Sequence, residues 1–172
     1  MRCRFPEPEA THRAGLALAR AVDGEGVVLL LAGPLGAGKT TFVKGLAAGF
    51  GVDPNAVTSP TFGIAHEHLT PDGRALRHVD FYRLEREAEL AEAGIVDFLA
   101  PGALVAVEWG DRFPNALPTD RLELRLERPR GEASVRSARA AAGGETSERL
   151  LARWHEQLVA DPEIEVEPAV WP

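Results

Sequence analysis

Cysteine is nearly absent from this 172-residue chain: Cys3 is the only one, which excludes an intrachain disulfide and a cysteine-built zinc site. Long apolar runs are missing too. No stretch approaches the ~20 residues that span a bilayer, and Pro6, Glu7, Pro8 and Glu9 stand where a secretory leader needs an apolar segment. The expectation is a cytoplasmic protein without membrane attachment. An excess of positive charge is also lacking. The formal charge is −7, and residues 155–172 carry Glu156, Asp161, Glu163, Glu165 and Glu167 but no Lys or Arg, leaving 19 basic against 21 acidic side chains over residues 1–154. That near balance is not the footprint of a protein that grips DNA or RNA by its own electrostatics. Any RNA connection is expected to run through a partner.

What is present is an ordinary globular composition, 45% hydrophobic and 26% charged, at a length suited to one domain. Residues 1–160 read as that domain; residues 161–172, acidic and with Pro162, Pro168 and Pro172, read as a mobile tail. Within the domain, Ala10, Ala14, Leu18 and Val22 share one face of a helix over 9–22, and Val27 to Ala32 is an apolar run fit for a strand buried on both faces. A helix is expected over 39–50. The segments 63–69 and 74–82 flank the turn Thr70-Pro71-Asp72-Gly73 as a hairpin, so part of the sheet must be antiparallel. A polar helix over 85–99, weakened by Gly94 and stopped by Pro101 and Gly102, precedes a buried strand over 103–107. Leu122, Leu124 and Leu126 then alternate with charges as a half-exposed strand, with a partner over 133–140. Thr146 or Ser147 can cap a last helix carrying Leu150, Leu151, Trp154 and Leu158 on one face. The pattern is an α/β layer fold with a mixed sheet.

Gly33-Pro34-Leu35-Gly36-Ala37-Gly38-Lys39-Thr40 matches G-x-x-x-x-G-K-[ST] without a mismatch. In a chain with two lysines against 17 arginines such a match is rarely accidental. A triphosphate must meet several backbone N–H groups at once, and glycine lets the backbone curl that closely. The following helix adds its unpaired N–H groups and positive dipole end. Lys39 can then reach the β and γ phosphates and the Thr40 hydroxyl can ligate magnesium. The bland alternative is a glycine turn between strand and helix.

A P-loop enzyme also needs a carboxylate near magnesium. Glu108 ends an apolar strand, at the sheet edge where ligands bind in open α/β folds; otherwise it is an exposed strand-end acid. Asp80, in His78-Val79-Asp80-Phe81-Tyr82-Arg83, is either a nucleotide-site residue or a hairpin acid paired to Arg83 or Arg77. Strand alternation puts His78 on the same side as Asp80, where a structural hydrogen-bonding role suits it better than that of a base. Thr58-Ser59-Pro60-Thr61-Phe62 is a switch segment over the γ phosphate or an ordinary capped turn. Thr11 reads as a helix cap and Trp109 as core or site wall.

Taken in order, these motifs resemble the TsaE (formerly YjeE) family, the small P-loop ATPases of bacterial tRNA threonylcarbamoyladenosine biosynthesis. The likeness spans about residues 11–154 and rests on Gly36-Ala37-Gly38-Lys39-Thr40-Thr41, Ser59-Pro60-Thr61-Phe62, His78-Val79-Asp80-Phe81-Tyr82-Arg83-Leu84, Gly94-Ile95 and Val107-Glu108-Trp109. It implies a P-loop NTPase-like three-layer fold with a mixed parallel and antiparallel central sheet. It further implies ATP and Mg²⁺ as cofactors, with nucleotide contacts from Thr11, Gly36, Ala37, Gly38, Lys39, Thr40 and Thr41. The same likeness implies that Thr40 and Glu108 hold magnesium and that Asp80 is needed for activity in a segment that responds to nucleotide state. The implied partners are TsaB and TsaD, whose complex transfers the threonylcarbamoyl group to adenosine 37 of tRNA, with ATP hydrolysis sustaining turnover. Gly110 departs from the family, in which proline often follows the tryptophan, and is expected to loosen the loop there. The tail beyond Trp154 also exceeds the usual end.

The mechanism expected from these residues is slow ATP hydrolysis in the isolated chain, with Lys39 and Asp80 as catalytic groups. A small-molecule kinase built on the same loop, and a nucleotide-dependent assembly factor without essential hydrolysis, are the alternatives.

Overall fold

The computed structural model describes residues 1–24, 26–61, 63–99 and 104–167. Among them, eight strands form one sheet: β1 (Arg2–Phe5), β2 (Val27–Ala32), β3 (Ala65–Leu69), β4 (Ala75–Asp80), β5 (Leu104–Glu108), β6 (Leu122–Glu127), β7 (Arg136–Ala142) and β8 (Glu165–Val166). Their order across the sheet is β3-β4-β5-β2-β6-β7-β1-β8. The central four, β4, β5, β2 and β6, are parallel, whereas β3 on one side and β7, β1 and β8 on the other pair antiparallel. This is the P-loop NTPase-like α/β arrangement with a mixed sheet that the sequence predicted.

Helices α1 (Pro8–Ala21), α2 (Lys39–Gly49) and α5 (Glu145–Val159) cover one face of the sheet. The other face is covered by the short α3 (Ala88–Glu92) and α4 (Ile95–Phe98), with the turns at Gly110–Arg112 and Pro114–Ala116. The helix expected over 85–99 is thus broken in two. Gly94 adopts φ 68° between the halves, a left-handed conformation that glycine takes at no steric cost and that no α-helix continues through. Pro101, Gly102 and Ala103, the expected helix stop and strand start, lie outside the described residues.

The α1–α2 crossing is the tightest contact in the helical layer, and small residues make it possible. Gly15 lies against the Phe42 carbonyl and Gly45 against the carbonyl of His12, so that a methyl at either position would overlap backbone. The fully buried Trp154 ties the third helix on: its ring stands edge-on to Phe42 with centroids 5.7 Å apart, and its Nε1 donates to the Ala14 carbonyl at 2.9 Å. All three helices are therefore fixed relative to the first turn of α2.

Three expectations change. β1 was not foreseen, although Arg2-Cys3-Arg4-Phe5 alternates polar and apolar and buries Cys3 and Phe5 against the helices. The segment from Asp161, expected to be mobile, is docked over its described part. Asp161 accepts from Arg13 at 2.9 Å, Ile164 is buried and β8 pairs with β1; residues 168–172 lie outside the described residues. Finally, Thr146 does not cap α5, and Ser147 serves the cap from inside the helix, its hydroxyl accepting from the N-cap Gly144 N–H at 3.1 Å. The Asp120 carboxylate accepts from both their backbone N–H groups at 3.0 and 2.9 Å, while the Ser147 hydroxyl turns back to Gly143 and Gly144.

Two outcomes are expected. Gly45→Ala, which forces α2 off α1, lowers unfolding free energy in urea by at least about 2 kcal/mol. Asp120→Ala costs about 0.5–2 kcal/mol as a lost cap at neutral pH. Burial pushes the Asp120 carboxyl upward, but the hydrogen bonds from Ser147 and Thr146 outweigh this and hold it down at about 2. The folded value lies below the unfolded one, so this stabilisation is complete above about pH 4. It is lost as the pH falls through about 2. The gap between wild type and Asp120→Ala, followed by denaturation at several pH values, should close over that window.

Candidate active site

The parallel strands β2, β4 and β5 end at the same edge of the sheet, so each delivers its last residues to one place. After β2 the chain enters the Gly33–Thr40 loop; β4 ends in Asp80 and β5 in Glu108, and these two carboxylates stand opposite each other in register. A cavity of about 340 Å³ opens here, a size suited to a small-molecule ligand. Its wall includes Thr11, Gly36, Ala37, Gly38, Lys39, Thr40, Thr41, Asp80 and Glu108, so the structure gathers every site residue read from the sequence.

Gly38 opens α2 at φ 100°, a conformation that side chains rarely adopt and that turns the loop into the helix. Lys39 is 4% exposed; its Nζ donates to the carbonyls of Gly33 at 2.7 Å and Pro34 at 3.0 Å and lies 4.0 Å from the Trp109 ring centre. Burial pushes this ammonium below the usual lysine range, opposed by the negative charges of Glu108, Asp80 and Asp111.

The two carboxylates are held by different donors. Glu108, 3% exposed, accepts on Oε1 from the Thr40 hydroxyl at 2.7 Å and meets His78 Nε2 at 2.9 Å. Asp80, 2% exposed, accepts on Oδ2 from Ser59 and Thr61, each at 2.7 Å, and on Oδ1 from the Tyr82 N–H at 2.8 Å. Arg77, one pairing expected for Asp80, binds Glu67 at 3.0 Å. Among the described residues no three His, Cys, Asp or Glu side chains could hold a metal ion by themselves. Thr40 and Glu108 do place two hard oxygen donors together, which suits Mg²⁺ completing its shell with phosphate oxygens and water.

Thr11 lies inside α1 and does not cap it; its hydroxyl oxygen is buried without a hydrogen-bond partner on the cavity wall. Such an orphan asks for an explanation, and a polar ligand supplies one. The two non-glycine residues with positive φ among the described residues, Ile64 (67°) and Trp109 (58°), flank the site. The first closes the segment that carries Ser59 and Thr61; the second directly follows Glu108. Backbone strain of this kind is concentrated where loops are held for function. Gly110 does not loosen the chain: a Cβ there would come within 2.7 Å of Leu30 Cγ, so the residue is packed down against the sheet. Phe62 lies outside the described residues.

Sequence reasoning missed Arg136, which reaches the cavity from the start of β7 and donates to the Ala133 and Val135 carbonyls. No motif surrounds it, so only the tertiary fold reveals it. The stack of Trp109 on Tyr82, with ring centres 5.1 Å apart, was equally invisible.

Comparison with known proteins points in one direction. The family model for threonylcarbamoyl adenosine biosynthesis protein TsaE matches residues 5–138. The tRNA threonylcarbamoyladenosine biosynthesis protein TsaE of Streptomyces coelicolor is 44% identical over 110 residues, 63% of this chain and 74% of that protein. The protein of the same name from Bacillus subtilis is 40% identical over 129 residues, covering 74% of this chain and 78% of its own length. The crystal structure of Bacillus subtilis YdiB superposes with a TM-score of 0.69 at 34% identity, covering 91% of this chain and 94% of that one.

Because the Lys39 ammonium rests on the Trp109 ring, an anion that draws Lys39 away must change the indole's surroundings. Addition of ATP should therefore shift the intrinsic tryptophan emission, and Trp109→Phe should abolish that shift although Trp154 and Trp171 remain.

Proposed function

The chain belongs to the TsaE family, which acts in tRNA threonylcarbamoyladenosine biosynthesis, and we propose that within that pathway it is a Mg²⁺-dependent ATPase sustaining turnover of a TsaB–TsaD complex. The observation that carries this reading is the convergence of Lys39, Thr40, Glu108 and Asp80 on one cavity at the carboxyl edge of the sheet, with Thr40 hydrogen-bonded to Glu108 at 2.7 Å.

In the proposed mechanism the loop amides and Lys39 hold the β and γ phosphate oxygens. To do so, Lys39 exchanges its carbonyl partners for phosphate. Thr40 and Glu108 would hold Mg²⁺, which when bound neutralises phosphate charge and orients the terminal group. Thr11 and Arg136 offer a hydroxyl and a guanidinium to the rest of the nucleotide. Asp80 has its oxygens engaged by Ser59, Thr61 and Tyr82. That engagement favours a role coupling the 58–61 segment to the state of the terminal phosphate over that of a bare general base. Phosphoryl transfer depends mainly on positioning and charge neutralisation, so a site awaiting a partner is slow. tRNA enters only through the partner complex.

The test is phosphate release by the isolated chain and after addition of TsaB and TsaD. The expected result is a low basal rate that rises with both partners, abolished by Lys39→Ala. Asp80→Ala should lose the rise while still binding nucleotide and assembling with the partners. A fast rate indifferent to the partners, or phosphate transferred to a metabolite instead of water, would overturn the proposal.

A further inference from the structure

We infer that His78 is a positioning residue for the metal carboxylate: its Nε2–H holds Glu108 in the orientation that ligates Mg²⁺. This rests on the reading of Glu108 as a metal ligand. His78 is fully buried on β4 and is not part of the cavity wall, so it can touch neither nucleotide nor attacking water. Among the described residues its side chain makes one hydrogen bond, from Nε2 to Glu108 Oε1 at 2.9 Å, which crosses from β4 to β5. A carboxylate can only accept, so the proton of this bond sits on Nε2. Nδ1 is then left buried without a partner, a penalty that an apolar residue of similar size would avoid. A structural filler would not need to carry it; an orienting group would.

Two further features make such a group necessary. Asp80 stands directly opposite Glu108 in the β4–β5 register, so two carboxylates share the strand ends and like charge tends to turn one of them away. The other donor to Glu108, the Thr40 hydroxyl, is itself a candidate ligand. A hydroxyl rotates about its C–O bond, so its proton can leave Glu108 when its oxygen faces a cation, whereas the imidazole N–H is fixed to its ring. His78 is the donor that stays. Buried donors of this kind fix the orientation and basicity of ligating groups, and their loss typically costs roughly 10–100-fold in metal affinity.

The experiment measures binding of mant-ATP to the full chain by fluorescence, first in EDTA and then as free Mg²⁺ is raised. Four proteins are compared: wild type, His78→Leu, His78→Gln and His78→Asn, each checked for folding by thermal melting. Glutamine carries an N–H close to the position of Nε2, whereas the asparagine amide ends short of Oε1. Binding in EDTA should be the same in all four. The Mg²⁺ midpoint should rise by roughly 10–100-fold in His78→Leu and His78→Asn and return to within a few-fold of wild type in His78→Gln. A folded His78→Leu with the wild-type midpoint overturns the inference. So does an equal loss in the glutamine and asparagine variants, which would mean that ring shape matters and the hydrogen bond does not. Should His78→Leu fail to fold, the glutamine–asparagine pair makes the same comparison. A wild type whose binding ignores Mg²⁺ would instead remove the metal reading of Glu108.

Discussion

Three charged groups are taken almost wholly out of water where β2, β4 and β5 end: the Lys39 ammonium and the Asp80 and Glu108 carboxylates. A buried charge is tolerated only when it is paired and hydrogen-bonded, and this requirement organises everything around the site. Lys39 is met by two loop carbonyls and an aromatic face. Asp80 gathers two hydroxyls and an amide from the flanking segments; Glu108 gathers a hydroxyl from α2 and an imidazole from β4. These groups come from several elements, so the separate pieces are tied to one another through the charges they satisfy.

The helical layer makes that arrangement rigid. The glycine-mediated contact of α1 with α2, and the Trp154 ring locked against Phe42 and Ala14, fix the first turn of α2 with respect to the sheet. Thr40 is thereby held at hydrogen-bond distance from a strand-end residue 68 positions later in the chain. Among the described residues, short helices and turns pack on the opposite face. Residues 58–61, 63 and 64 and the turn after Glu108 sit at the edge of the site, and among the described residues Ile64 and Trp109 there are the two non-glycine positions with positive φ.

Much of the site could be read directly. The glycine loop is local: its shape depends on backbone curl and a following helix, both encoded within a dozen residues, and Gly36 to Thr41 line the cavity. Glu108 could be nominated because it ends an apolar stretch, and Asp80 because it lies on the second strand of the hairpin. Their relation could not, since opposition across β4 and β5 is a matter of register between segments far apart in sequence. The same limit explains Asp120, which caps a helix beginning some two dozen residues later, and the docked tail, whose acidic and proline-rich composition describes solvation in isolation and contains no information about Arg13 waiting on α1.

The amino-acid sequence by itself determined most of the elements, the mixed character of the sheet and the glycine-rich turn between β2 and α2, because these follow from hydrophobic period, turn residues and backbone freedom over short spans. Only the tertiary structure decided which donor satisfies which buried charge: that Asp80 holds the loop of Ser59 and Thr61, that Glu108 is shared by Thr40 and His78, and that Arg136 reaches the cavity. The physical reason is that desolvated charges choose their partners by distance in space, and strand order sets those distances.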